Sequence, residues 1–148
     1  MAISFTNNWK NILDKLQSVL RTEFGSTLKV YRGKVISPGN QYLTLLPLGT
    51  TLSEYNVSSE IREFSVNMEY HFRDPNMNEK ALDHVTRVVS RIEALIQNNI
   101  SMTLDVGSDA DSTDAFNCRI ESTDLGGGDE SEYIVVLEWV CQHLGNVG

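Results

Sequence analysis

The chain has 148 residues, 41% of them hydrophobic and 22% charged, proportions that suit a single soluble domain able to bury about 70% of its unfolded surface without staples. Twenty acidic residues against twelve basic ones leave a net charge of −8. That balance argues against a phosphate-gripping surface as the main activity, because affinity for nucleic-acid backbones comes from Lys and Arg; a negative wall repels a passing duplex and keeps it from sticking.

In chain order, Thr6 and Asn7 are capping residues ahead of a helix over Asn8–Phe24. Its apolar stripe is Trp9, Ile12, Leu13, Leu16, Val19 and Leu20, and Gly25 stands where a helix C-terminus favours it. Leu28–Tyr31 reads as a short strand, and Ser37-Pro38-Gly39-Asn40 as a loop. Tyr42–Leu48 reads as a second strand, ended by Pro47 and Gly49, with apolar residues on both faces. Gly49–Ser58 is polar with isolated apolar residues, which suits a projecting loop or a hairpin extension.

The most informative stretch follows. From Ser59 to Arg73, Phe64, Val66, Met68, Tyr70 and Phe72 alternate with Glu63, Ser65, Asn67, Glu69 and His71. Period two over that length predicts a long strand with one buried and one polar face. After Asp74-Pro75-Asn76, Ala81, Leu82, Val85, Val88, Val89, Ile92, Leu95 and Ile96 recur at helical spacing, with Asn76 or Asn78 as the cap and Glu79 favourably placed in the first turn. Ile100–Val106 suits a short strand, and Gly107–Asp114 a polar loop. Phe116–Leu125 and Tyr133–His143 read as a final strand pair joined through Gly126-Gly127-Gly128. The last strand carries apolar residues on both faces, as a central strand does. The expected fold is therefore α+β: a single domain with an antiparallel or mixed sheet and two amphipathic helices packed on one face.

The two cysteines, Cys118 and Cys141, fall in the last strand pair. Pairing Leu125 with Tyr133 would set Cys118 opposite Val140; a shift of one residue would bring the thiols together. Two buried free thiols in a reducing compartment are expected. The first residues have no basic run followed by an apolar core, and no apolar run approaches membrane-spanning length.

Few residues of the chain stand in a pattern that carries chemistry. His71, His84 and His143 lack the spacing of a helical zinc motif. His71, Glu69 and Glu63 would stand about 7 Å apart along one strand face, a row better suited to solvent or an interface than to a metal. Asp105, Asp109, Asp111 and Asp114 lack the central glycine and terminal glutamate of a calcium loop. The triple glycine has no following Lys-Ser/Thr to make a phosphate cradle, and no serine sits in a nucleophile elbow. Neither a catalytic residue nor a cofactor is expected.

The order of capped helix, LKVYRG (Leu28–Gly33), YLTLLPLG (Tyr42–Gly49), EIREFSVNMEYHF (Glu60–Phe72), ALDHVTRVVSRIEALI (Ala81–Ile96) and a closing strand pair resembles the tail-terminator, or tail-completion, proteins of long-tailed bacteriophages. The resemblance spans Asn8 to His143 and rests on element order, length and texture rather than on a signature motif. It implies a non-enzymatic structural protein of the virion, assembled in the host cytoplasm. Its copies would form a homo-oligomeric ring, commonly a hexamer, on the upper end of the tail tube. The ring would stop polymerisation of the tube protein, dock the neck or head–tail connector, and surround a channel for double-stranded DNA. Under that reading Glu63, Ser65, Asn67, Glu69 and His71 face the channel or a neighbouring subunit, and Leu52, Tyr55 and Val57 anchor a subunit or neck contact. The long acidic loop from Ile100 to Ala115 departs from the compact connection expected of such proteins. A neck or head-completion adaptor is the alternative of the same class. A cellular α+β enzyme or ligand-binding module is the alternative of another class, and would need a pocket with convergent polar groups.

Overall fold

The computed structural model describes residues 5–33, 39–74, 78–105, 114–127 and 132–146. Helix α1 spans Asn8–Phe24. Asn7 caps it, its side chain accepting from the Lys10 amide, and Gly25 closes it with φ 57°, a left-handed conformation that costs glycine nothing. Strand β1 (Lys29–Arg32) leads to two strands of fifteen residues each, β2 (Gln41–Tyr55) and β3 (Ser59–Arg73). Helix α2 (Glu79–Gln97) is capped by Asn78, whose side chain accepts from the Ala81 amide. Short β4 (Met102–Thr103) precedes β5 (Asp114–Gly127) and β6 (Glu132–Asn146).

The six strands form one mixed sheet in the order β1-β2-β3-β6-β5-β4. Only β1 and β2 run parallel; every other neighbouring pair is antiparallel. β3 therefore sits between β2 and β6, and its register with β6 is unbroken from Ser59 opposite Asn146 to Arg73 opposite Glu132.

The alternation in β3 resolves as expected: Phe64, Val66, Met68, Tyr70 and Phe72 are buried. Around them pack Leu43 and Leu45 from β2, Val135, Leu137 and Trp139 from β6, and the stripes of both helices. α1 contributes Ile12, Leu13, Leu16, Leu20 and Phe24, and α2 contributes Ala81, Val85, Val89, Ile92 and Ile96. Trp9, Val88 and Leu95 flank this core partly buried, and Leu82 lies at its exposed margin. Both helices thus cover one face of the sheet, and the fold is α+β.

Three details depart from the sequence reading. Pro47 and Gly49 do not end β2; the register with β3 shifts there and again between Leu52 and Glu54, and the strand continues to Tyr55. A bulge absorbs an extra residue without ending pairing, and proline is tolerated on an edge where its missing N–H leaves no ladder bond unmade. Gly49–Ser58 is consequently a hairpin extension rather than a free loop. β5 begins at Asp114 and runs through Gly126 and Gly127, so the glycines start inside the strand. Asp109 and Asp111 of the acidic segment, and Gly128, lie outside the described residues, as do Ser37 and Pro38.

Candidate assembly surface

Residues directly opposite across a ladder share a face, so the register defines the side of the sheet that the helices leave uncovered. Its spine is Glu63, Ser65, Asn67, Glu69 and His71 of β3, all half-buried. Opposite them stand Gln142, Val140, Glu138, Val136 and Ile134 of β6, and Thr51, Gly49, Leu46, Thr44 and Tyr42 of β2. The row predicted from alternation exists, but the face is more mixed than β3 alone suggests, because β6 brings an apolar column alongside it.

Two polar clusters organise this face. At one end, His71 Nδ1 lies 2.9 Å from Glu132 Oε1, and Nε2 lies 3.6 Å from Glu69 Oε1. The imidazole stacks on Tyr42, with centroids 4.4 Å apart and planes 7° from parallel. Burial, followed by the nearby Glu132 carboxylate, raises the Tyr42 pKa, so that phenol stays protonated. Towards the other end, Arg119 of β5 reaches Glu63 at 3.3 Å and Glu121 at 2.6 Å. Two carboxylates hold one guanidinium there, and no free cation remains in that cluster for a phosphate.

Sequence reasoning missed Tyr42, Arg119 and Glu132 as partners. They join β3 through contacts spanning 56 and 61 residues for Arg119–Glu63 and Glu132–His71, and only the strand register, which no local pattern encodes, brings them together.

The second predicted group occupies the outer end of the β2–β3 hairpin. From Pro47 to Tyr55 every residue of β2 is exposed on both faces. Leu52 is 46%, Tyr55 61% and Val57 94% exposed, with Leu48 nearby at 54%. The turn itself is well made: Asn56 Oδ1 accepts from the amides of Ser58 and Ser59, and the Asn56 amide donates to the Ser59 carbonyl. The arm thus carries exposed apolar side chains on both of its sides.

Among the described residues, no group of three or more His, Cys, Asp or Glu is placed to hold a metal. A groove of about 320 Å³ between α2 and β5 is lined by Glu93, Ile96, Gln97, Ile100, Asn117, Cys118, Arg119 and Ile120; its one guanidinium is already engaged by Glu63 and Glu121. No helix among the described residues is long and apolar enough to cross a membrane.

The sequence matches no protein-family model and no curated protein. Among solved structures, the fold is similar to a chain in the virion of a native gene transfer agent particle. The TM-score is 0.56 at 9% identity, over 88% of this chain and 84% of that one. At that identity the likeness is one of fold alone.

Proposed function

We propose that this chain is a structural protein of a phage-like virion and that it acts as a tail terminator. In this role copies of it form a ring on the upper end of the tail tube, stop tube polymerisation and present the surface that receives the neck. The observation that carries the reading is the division of labour in the sheet. One face holds all the helix packing, while the other carries the half-buried polar row of β3, with Glu63 and Glu69, beside an apolar column of β6 and an arm bare on both sides. That is the anatomy of a subunit made to be completed by neighbours. The fold shared with a chain of a gene transfer agent virion supports the same class, and the order of elements described above supports the terminator within it.

In the ring, Glu63, Ser65, Asn67, Glu69 and His71 face the channel. A wall that bears Glu69 and Glu138 and offers no unengaged guanidinium beside Glu63 gives the phosphate backbone little to hold, so DNA slides past without being gripped. Leu52, Tyr55 and Val57 provide the apolar anchors of the subunit contact. The test is to add the purified protein to its polymerising tube protein and measure tube lengths by electron microscopy. Tubes shortened in proportion to added protein, each with a ring at one end, are the expected result. Tubes of unchanged length with no bound ring would overturn the terminator role.

A further inference from the structure

We propose that the contact between neighbouring copies is a strand-to-strand one, in which the outer half of β2 in one copy adds antiparallel to the free edge of β5 in the next. The proposal rests on the ring reading above and names its interface.

Two edges of the sheet lack a β partner among the described residues. β1 covers β2 only from Tyr42 to Leu45, which leaves the edge from Leu46 to Tyr55 open. β4 covers β5 only at Asp114 and Ala115, and the Ile100 carbonyl accepts from the Cys118 amide. Beyond that point β5 is open from Arg119 onward. Unpaired edges of this length, one of them lined by exposed Leu48, Leu52 and Tyr55, are templates for another strand.

The occupant is a second copy because the chain supplies both halves of the joint. β2, β3, β6 and β5 alternate in direction, so the first and last of these four run antiparallel to each other. A copy related by rotation about an axis near the strand direction therefore presents its β2 to a neighbour's β5 with the correct polarity. The contact is heterologous, which is what a closing ring requires.

The faces also match. Thr50 lies opposite Phe64, which lies opposite Cys141, whereas Thr123 lies opposite Leu137. Setting Thr50 against Thr123 staggers adjacent copies by the four positions from Leu137 to Cys141, an even number. The helix-covered faces then align, and Thr51 meets Ser122 on the open face. Four residues of rise across four strands correspond to a tilt of roughly 35°, at the edge of the range in which sheets close into barrels. The half-buried polar surface then becomes continuous around the inside.

The test uses two double-cysteine variants of the full chain, Thr50→Cys with Thr123→Cys and Thr51→Cys with Ser122→Cys. The native thiols are buried. Each variant is oxidised with copper–phenanthroline, both free at high concentration and bound to tube ends, and resolved on denaturing gels without reductant. Native mass measurement and microscopy of the same samples report rings independently. A ladder of covalent multimers from at least one double variant, with none from the matching single variants, is expected. Rings that form while neither double variant cross-links would overturn the strand joint and leave the ring reading standing. A covalent dimer from Thr50→Cys alone would also overturn it, since two copies of β2 would then be meeting each other. Absence of rings both in solution and on tubes would remove the ring reading and this proposal together.

Discussion

Cys118 faces Cys141 across the β5–β6 ladder because β5 carries one residue too many between Phe116 and Arg119. The partners of those two residues, Gln142 and Val140, are only two apart. Asn117 absorbs the excess with φ 53°, a left-handed conformation that Asn tolerates better than most residues. The bulge turns Cys118 onto the core face beside Cys141, where its Sγ donates to the Ala115 carbonyl at 3.7 Å. The neighbouring Cys118 thiol, more than burial, raises the Cys141 pKa, and the Cys141 thiol lowers that of Cys118. Access decides their reactivity, since the residues are 2% and 0% exposed. Neither thiol should react with an aromatic disulfide reagent at pH 8 in the native protein, and both should react on unfolding in guanidinium. Stoichiometric reaction before unfolding would show that the bulge is misplaced.

Ile92 is fully buried at the centre of the α2 stripe. Ile92→Ala should cost about 2–5 kcal/mol in chemical denaturation, from lost burial plus the cavity left behind. Ile92→Asp should leave no folded protein by circular dichroism, because an unpaired buried carboxylate has no compensation there. A stable Asp variant would mean that α2 packs by another face.

Leu52 and Tyr55 sit on the bare arm, so replacing both by Ser should leave the subunit folded, with its melting temperature within a few degrees of the parent. The same variant should fail to form rings or to limit tube length. Normal assembly would remove the arm from the subunit contact.

Reversing Glu63 and Glu69 to Lys should turn the open face from repelling to gripping DNA. The Lys introduced at position 63 would also press on Arg119, so the paired Gln substitutions serve as the uncharged control. Particles carrying the Lys pair should eject DNA more slowly at low ionic strength and recover as salt rises. Ejection that is unchanged at every ionic strength would argue that this face does not line the channel.

Asp14 accepts from Lys10 at 2.6 Å and lies 2.7 Å from Arg32. The Lys10 hydrogen bond, ahead of the opposing effect of burial and the aid of Arg32, lowers its pKa. A carboxyl whose folded pKa is depressed adds stability above its unfolded pKa and loses it as pH falls through the folded one. The side chain is 40% exposed, so solvent screening keeps the contribution at or below about 1 kcal/mol. Asp14→Asn should destabilise slightly at pH 7 and not at all near pH 2, as urea midpoints at the two pH values would show. An equal loss at both would assign the effect to packing.

The boundaries of β3 and α1 were legible because each element buries one face along its whole length, so its period is written into the side chains. The outer half of β2 was not. Gly49 to Tyr55 is bare on both sides, and without a buried face there is no alternation to read. Pro47 looked like a terminator because its missing N–H matters only where a partner strand needs it. The row from Glu63 to His71 was visible for the same reason as β3. Its partners were not, since Tyr42, Arg119 and Glu132 reach it through register alone. The Asn117 bulge was equally silent: one added residue brings Cys118 onto the core face beside Cys141 without altering either flanking pattern.

The central pairing of the sheet also joins strands that lie far apart in the chain. β2 and β3 are joined by a three-residue turn, whereas β3 and β6 are neighbours only after everything between Arg73 and Glu132 has been laid down. Closing so long a loop costs entropy before any contact rewards it. The hairpin should therefore gain amide protection before β6 does in pulse-labelled hydrogen exchange during refolding; simultaneous protection of both would show that the long loop does not set the order. A chain lacking β6 would leave the inner edge of β3 unzipped, a template for pairing with another chain.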